Sequence, residues 1–94
     1  RMKSYFLEGL RDVAIVRSEL SRLLPNGVDP WLLIAADPYP LAYFTVIASE
    51  EDAPSIQADL SGRHYDQDGA VLEILRELQK RVGGVVRDDN DNRL

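Results

Sequence analysis

The chain has 94 residues, no cysteine and a net charge of −5 at neutral pH. That length suits one domain with a modest core. The lack of cysteine excludes thiol nucleophiles, iron–sulfur clusters and thiolate zinc sites, and it favours a reducing, cytoplasmic setting. Residues 25–62 hold no lysine or arginine but carry Asp29, Asp37, Glu50, Glu51, Asp52 and Asp59. This purely acidic middle has the wrong sign for binding phosphate, which speaks against a nucleic-acid partner. No apolar run reaches membrane-spanning length, and Glu8, Arg11 and Asp12 interrupt any signal-peptide core near the start.

In chain order, residues 4–24 are predicted to form a helix. Ser4 is the expected N-cap, and Phe6, Leu10, Val13, Leu20 and Leu24 recur at helical spacing. Gly9 interrupts this pattern and points either to a close packing contact or to a later helix start. Pro25, Asn26 and Gly27 end the helix. Residues 31–36 read as a strand, 37–40 as a proline-rich turn and 41–49 as a β-branched and aromatic strand. The acidic loop 50–54 leads to an alternating strand at 55–62, with Ile56, Ala58 and Leu60 on one side. From Ala70, the residues Val71, Leu72, Ile74, Leu75, Leu78 and Val82 form one helical face, closed by Gly83 and Gly84. Residues 85–87 suit a short last strand, and 88–94 read as a polar, flexible tail.

The expected fold is therefore an α+β two-layer sandwich spanning 1–87, with element order α-β-β-β-α-β. Two helices would pack on one face of a mostly antiparallel four-stranded sheet. The last strand would return parallel to the first by a right-handed crossover. The start of this order is shared with double-stranded-RNA-binding domains. Those domains need basic loops and a basic start to the last helix, whereas the loops here are acidic and the helix begins at Asp66-Gln67-Asp68-Gly69. The likeness is one of element order alone and carries no function.

The stretch from Arg63 to Leu75 holds the only histidine of the chain. Read as a calcium loop, with Asp66, Asp68 and Gly69 at the third, fifth and sixth positions, it would need an oxygen ligand at His64 and a bidentate carboxylate at Leu75. Neither residue can serve. The reading preferred here is helix capping, with Asp66 or Asp68 accepting the free N–H groups of the first turn. His64 is then a surface residue at a strand end. The competing reading is a polar site of His64, Tyr65, Asp66 and Asp68, with His64 as a general base. No nucleophile elbow and no phosphate-cradling glycine loop is present. Glu50, Glu51 and Asp52 are better read as solvated loop acids than as a catalytic pair. No catalytic motif, metal or cofactor is expected.

The strands at 31–36 and 41–49 are apolar on both sides, so two helices on one face would leave large groups in water on the other. The functional expectation is protein–protein association, most simply a homodimer. Trp31, Leu33, Tyr39, Leu41, Tyr43 and Ile47 are the candidate interface residues. The alternatives are an acidic inhibitor or immunity-type module that masks a basic partner protein, and a small enzyme or ligand-binding domain built around His64.

Overall fold

The computed structural model describes residues 3–34 and 39–94. Strand β1 spans Lys3–Glu8, helix α1 Val13–Leu23, strand β2 Trp31–Ile34, strand β3 Pro40–Ile47 and strand β4 Ser55–Leu60. A single 3-10 turn at Gly62–His64 leads into helix α2, Asp68–Val82, and strand β5 covers Val85–Asp88. The architecture is α+β, as expected, but the sheet has five strands in the order β2-β3-β4-β1-β5. Every pairing is antiparallel. The far end of the expected strand 31–36 and the start of the expected turn at 37–40 lie outside the described residues.

The added strand is the main correction. The segment expected to open a long helix is β1, and it sits between β4 and β5. Its side chains alternate: Tyr5 and Leu7 are buried, while Ser4, Phe6 and Glu8 point to the opposite face. The helical spacing of Phe6, Leu10 and Val13 spans a break. Gly9 takes φ +76, a backbone conformation that glycine adopts without steric cost. The helix starts only after Asp12, whose carboxylate accepts from the N–H groups of Ala14 at 3.0 Å and Ile15 at 3.2 Å. Asp12, and not Ser4, is the N-cap.

Because β1 exists, the last strand has a different neighbour from the one expected. β5 pairs antiparallel with β1, Phe6 opposite Arg87, so no parallel crossover forms. Residues 88–94 do not trail away from the fold. Leu94 N–H donates to the Val86 carbonyl at 2.9 Å, Asp88 N–H donates to the Asn92 carbonyl at 3.0 Å, and Arg93 bridges Arg87 along the outer edge. The Val86 carbonyl and the Asp88 N–H on that edge of β5 are thereby paired within the chain.

Both helices pack on one face of the sheet. Val16 and Leu20 of α1 and Val71, Leu75 and Leu78 of α2 meet Tyr5, Leu7, Trp31, Ala42, Phe44, Ile56, Ala58, Leu60 and Val86 in one buried cluster. Trp31 lies opposite Phe44 in the β2–β3 register, so its ring enters this core, and its indole N–H donates to Ser21 Oγ at 3.0 Å. A register shift between Leu33 and Ile34 pairs Leu33 with Ala42 and Ile34 with Pro40. Leu41 is left without a β2 partner and joins the core.

Candidate functional site

Two regions could carry function: the polar cluster at the start of α2 and the uncovered side of the sheet. The cluster is anchored on Asp68. Its carboxylate accepts from the Tyr5 hydroxyl at 2.6 Å and from Lys3 Nζ at 3.2 Å. Lys3 also donates to the Tyr65 carbonyl at 3.1 Å and lies 4.7 Å from the centre of the Tyr65 ring. Asp68 therefore ties the start of α2 to β1, and no side chain caps the helix from the preceding residue, Gln67.

Of the four residues expected as a polar site, Asp68 and Tyr65 share this cluster through Lys3. Asp66 is exposed. His64 is not a surface residue: it is 4 % exposed, in the 3-10 turn, with Nδ1 3.1 Å from Ser61 Oγ. The reason is a turn tied to the neighbouring strand. Ser61 N–H bonds the Leu41 carbonyl and His64 N–H bonds the Ser61 carbonyl, and these bonds curl the chain inward after β4.

The electrostatics of the cluster suit a clamp better than a proton shuttle. Burial, and then the hydrogen bond to the Asp68 carboxylate, push the Tyr5 hydroxyl well above its ordinary pKa. The Tyr5 and Lys3 hydrogen bonds hold the Asp68 carboxyl below its ordinary value. Near neutral pH the phenol stays protonated and the carboxylate stays ionised, so neither group is poised to exchange a proton. Among the described residues, no three His, Asp or Glu side chains gather closely enough to hold a metal ion.

The other region is the face of the sheet away from the helices. No described helix or strand lies over it. The pairing registers order its side chains in rows across the strands. One row runs Leu32, Tyr43, Asp59, Ser4, and the next runs Thr45, Gln57, Phe6, Arg87. Ile47, Ser55, Glu8 and Val85 follow by alternation. Ile47 is 46 % exposed and Ile34 41 %, while Tyr43 and Phe6 are half-buried by their neighbours alone. The middle of the face is polar: Asp59 accepts from Ser4 Oγ at 2.6 Å and from Gln57 Nε2 at 3.0 Å. The face is thus aliphatic and aromatic on β2 and β3, polar along β4, and marked again by Phe6 on β1.

The candidate interface residues divide accordingly. Tyr43 and Ile47 lie on this face. Trp31 and Leu41 are in the core, and Leu33 packs against the core from the helix side, so these three offer little to a partner. Tyr39 is 50 % exposed at the start of β3, with the Arg63 guanidinium 4.2 Å from its ring centre. Sequence reasoning missed Phe6, Leu32 and Gln57. Phe6 and Leu32 could have been found by applying the strand period to residues 3–8 and by pairing Trp31 with Phe44.

The described residues also line two hollows, one remote from both regions and one beside the open face. One, of about 270 Å³, lies between the start of α1 and the end of α2 and is lined by Arg11, Asp12, Ile15, Val16, Arg81 and Val82. The other, of about 430 Å³, lies at the β3–β4 turn beside the open face, with Glu8, Ile47, Ser49, Asp52, Ala53 and Ser55 in its wall. No helix among the described residues is long and apolar enough to cross a membrane. No protein family, curated protein or solved structure matches the chain.

Proposed function

We propose that this chain is a binding module that acts by protein–protein association through the uncovered face of its sheet. The observation that supports this most is the asymmetry of the two faces. One is sealed by α1 and α2 over a single core, while the other carries Leu32, Ile34, Tyr43, Ile47 and Phe6 with no described element above them. Apolar side chains gathered on one exposed surface usually mark a docking surface. The half-buried aromatics Tyr43 and Phe6 are the residue types that anchor such contacts. A second copy of the chain and a foreign protein both fit this reading. A catalytic reading of His64, Tyr65, Asp66 and Asp68 is less supported, because Asp68 is committed to Tyr5 and Lys3.

The reading is tested by selecting binders to the folded chain from a random peptide library, since such selections settle on the surface most able to bind. The selected peptides should lose affinity for Tyr43→Asp and Ile47→Asp on the sheet face. They should bind normally to Ile15→Asp, which changes an exposed apolar residue of α1. Peptides sensitive to Ile15→Asp and indifferent to Tyr43→Asp would contradict the reading.

A further inference from the structure

The open face and its rim are strongly acidic. Glu8 and Asp59 lie on the face, and Asp89, whose carboxylate accepts from Ser4 N–H at 3.3 Å, lies beside it. Glu50, Glu51 and Asp52 form the exposed β3–β4 turn at one end, and Asp91 stands beside Arg87 at the outer edge. Among the described residues of this side, the basic groups set against these carboxylates are Arg87 and Arg93. Arg87 is already engaged, 3.1 Å from Glu8 and 3.8 Å from Asp91. The helix layer is different. Lys3, Arg11, Arg17, Arg22, Arg76, Lys80 and Arg81 there balance Asp12, Glu19, Asp29, Asp66, Asp68, Glu73 and Glu77. The molecule is polarised across its thickness, with its negative charge gathered on the sheet side.

A second, independent observation concerns the aromatic rings. Three rings elsewhere carry a cation of the chain itself: Lys3 over Tyr65, Arg17 over Trp31 and Arg63 over Tyr39. Among the described residues, Phe6 and Tyr43 on the open face carry none. An aromatic face beside carboxylates is a favourable seat for arginine or lysine.

We propose that the occupant of the open face is a cationic protein surface presenting arginine or lysine among aliphatic side chains. The inference rests on the reading of this face as the association surface and narrows its partner. Cations from the partner meet the acidic rim and the rings of Phe6 and Tyr43, and its aliphatic groups meet Leu32, Ile34 and Ile47. A second copy presenting the same face would set acid against acid across the contact, which disfavours the symmetric dimer. Charge complementarity of this kind gives fast, salt-sensitive association.

The test is an amide-shift titration of the intact chain with a short peptide of alternating arginine and leucine, alongside its glutamate–leucine counterpart. The expected result is a set of shifts centred on Phe6, Tyr43 and Gln57. Affinity should fall about tenfold between ~0.05 and ~0.3 M salt, where screening of exposed charges becomes strong. The glutamate–leucine peptide should not bind. The triple variant Glu50→Gln, Glu51→Gln, Asp52→Asn should bind the cationic peptide several-fold more weakly. Absence of binding, equal binding of both peptides, or binding indifferent to salt would overturn the cationic partner. Shifts on the same face that follow protein concentration alone would put a second copy there, overturning this inference while keeping the association surface. Shifts confined to α1 and α2 would overturn both.

Discussion

At the scale of single residues, the hydroxyl of Tyr5 and the carboxylate of Asp68 connect the edge of the core to the start of α2. Tyr5→Phe keeps the ring in the core but removes a charge-assisted hydrogen bond, and about 1–2 kcal/mol of stability should go with it. The pH dependence has a definite sign. The carboxyl of Asp68 is held below its ordinary value in the folded chain, so its contribution is present above about pH 4 and is lost as pH falls through the folded value. The Tyr5 hydroxyl is shifted upward, so its contribution is complete below about pH 10 and fades in stronger base. Denaturant melts of wild type and Asp68→Asn should therefore differ at pH 7 and converge toward pH 3. A constant gap across that range would place the stabilisation elsewhere. Gly84 is a second sensitive residue. Its φ is +95, and a Cβ there would lie 2.7 Å from the Glu8 carbonyl oxygen and 2.7 Å from Leu10 Cδ2. Gly84→Ala should cost on the order of 1–3 kcal/mol in a thermal or denaturant melt.

At the scale of elements, α2 and the β2–β3–β4 meander were legible in the sequence, and β1 was not. The reasons are physical. Val71, Leu75 and Leu78 recur at helical spacing and are all buried, and Ile56, Ala58 and Leu60 alternate and are all buried. Over residues 4–24 two periods overlap: a strand period in Tyr5 and Leu7, then a helical one in Val16 and Leu20. One helical template spanning both fits Phe6, Leu10 and Val13 by chance, and Gly9 marks the join. The cap follows from the same boundary. Asp12→Ala should destabilise the fold by about 1 kcal/mol, while Ser4→Ala leaves α1 untouched, a contrast that separates the observed helix start from the one read in the sequence. The candidate site was legible in part. Tyr43 and Ile47 followed from strand alternation, but Leu41 was carried into the core by a register shift between β2 and β3 that no local pattern announces. The burial of His64 likewise depends on a turn set by Ser61 and the Leu41 carbonyl, which are joined only in the fold.

At the scale of the whole molecule, the chain is a sheet with one finished face and one unfinished face. The C-terminal residues fold back along β5 and partly cover that edge of the five-stranded sheet. The uncovered face is aliphatic at β2 and β3, polar along β4, and rimmed by acids. The expectation of an apolar second face came from the composition of two strands. The polar middle came from β4, whose Ser55, Gln57 and Asp59 were legible, and from the placing of Ser4 beside Asp59, which required β1 to be a strand. Association through the sheet face is tested most directly by the binding ratio between two variants, measured with peptides selected against the wild-type chain. Tyr43→Asp should lose tenfold or more, on the order expected for a half-buried aromatic anchor, while Ile15→Asp binds as wild type and both variants keep a cooperative melt. Loss of binding in Ile15→Asp with Tyr43→Asp unaffected would place the binding surface on the helices and contradict the account.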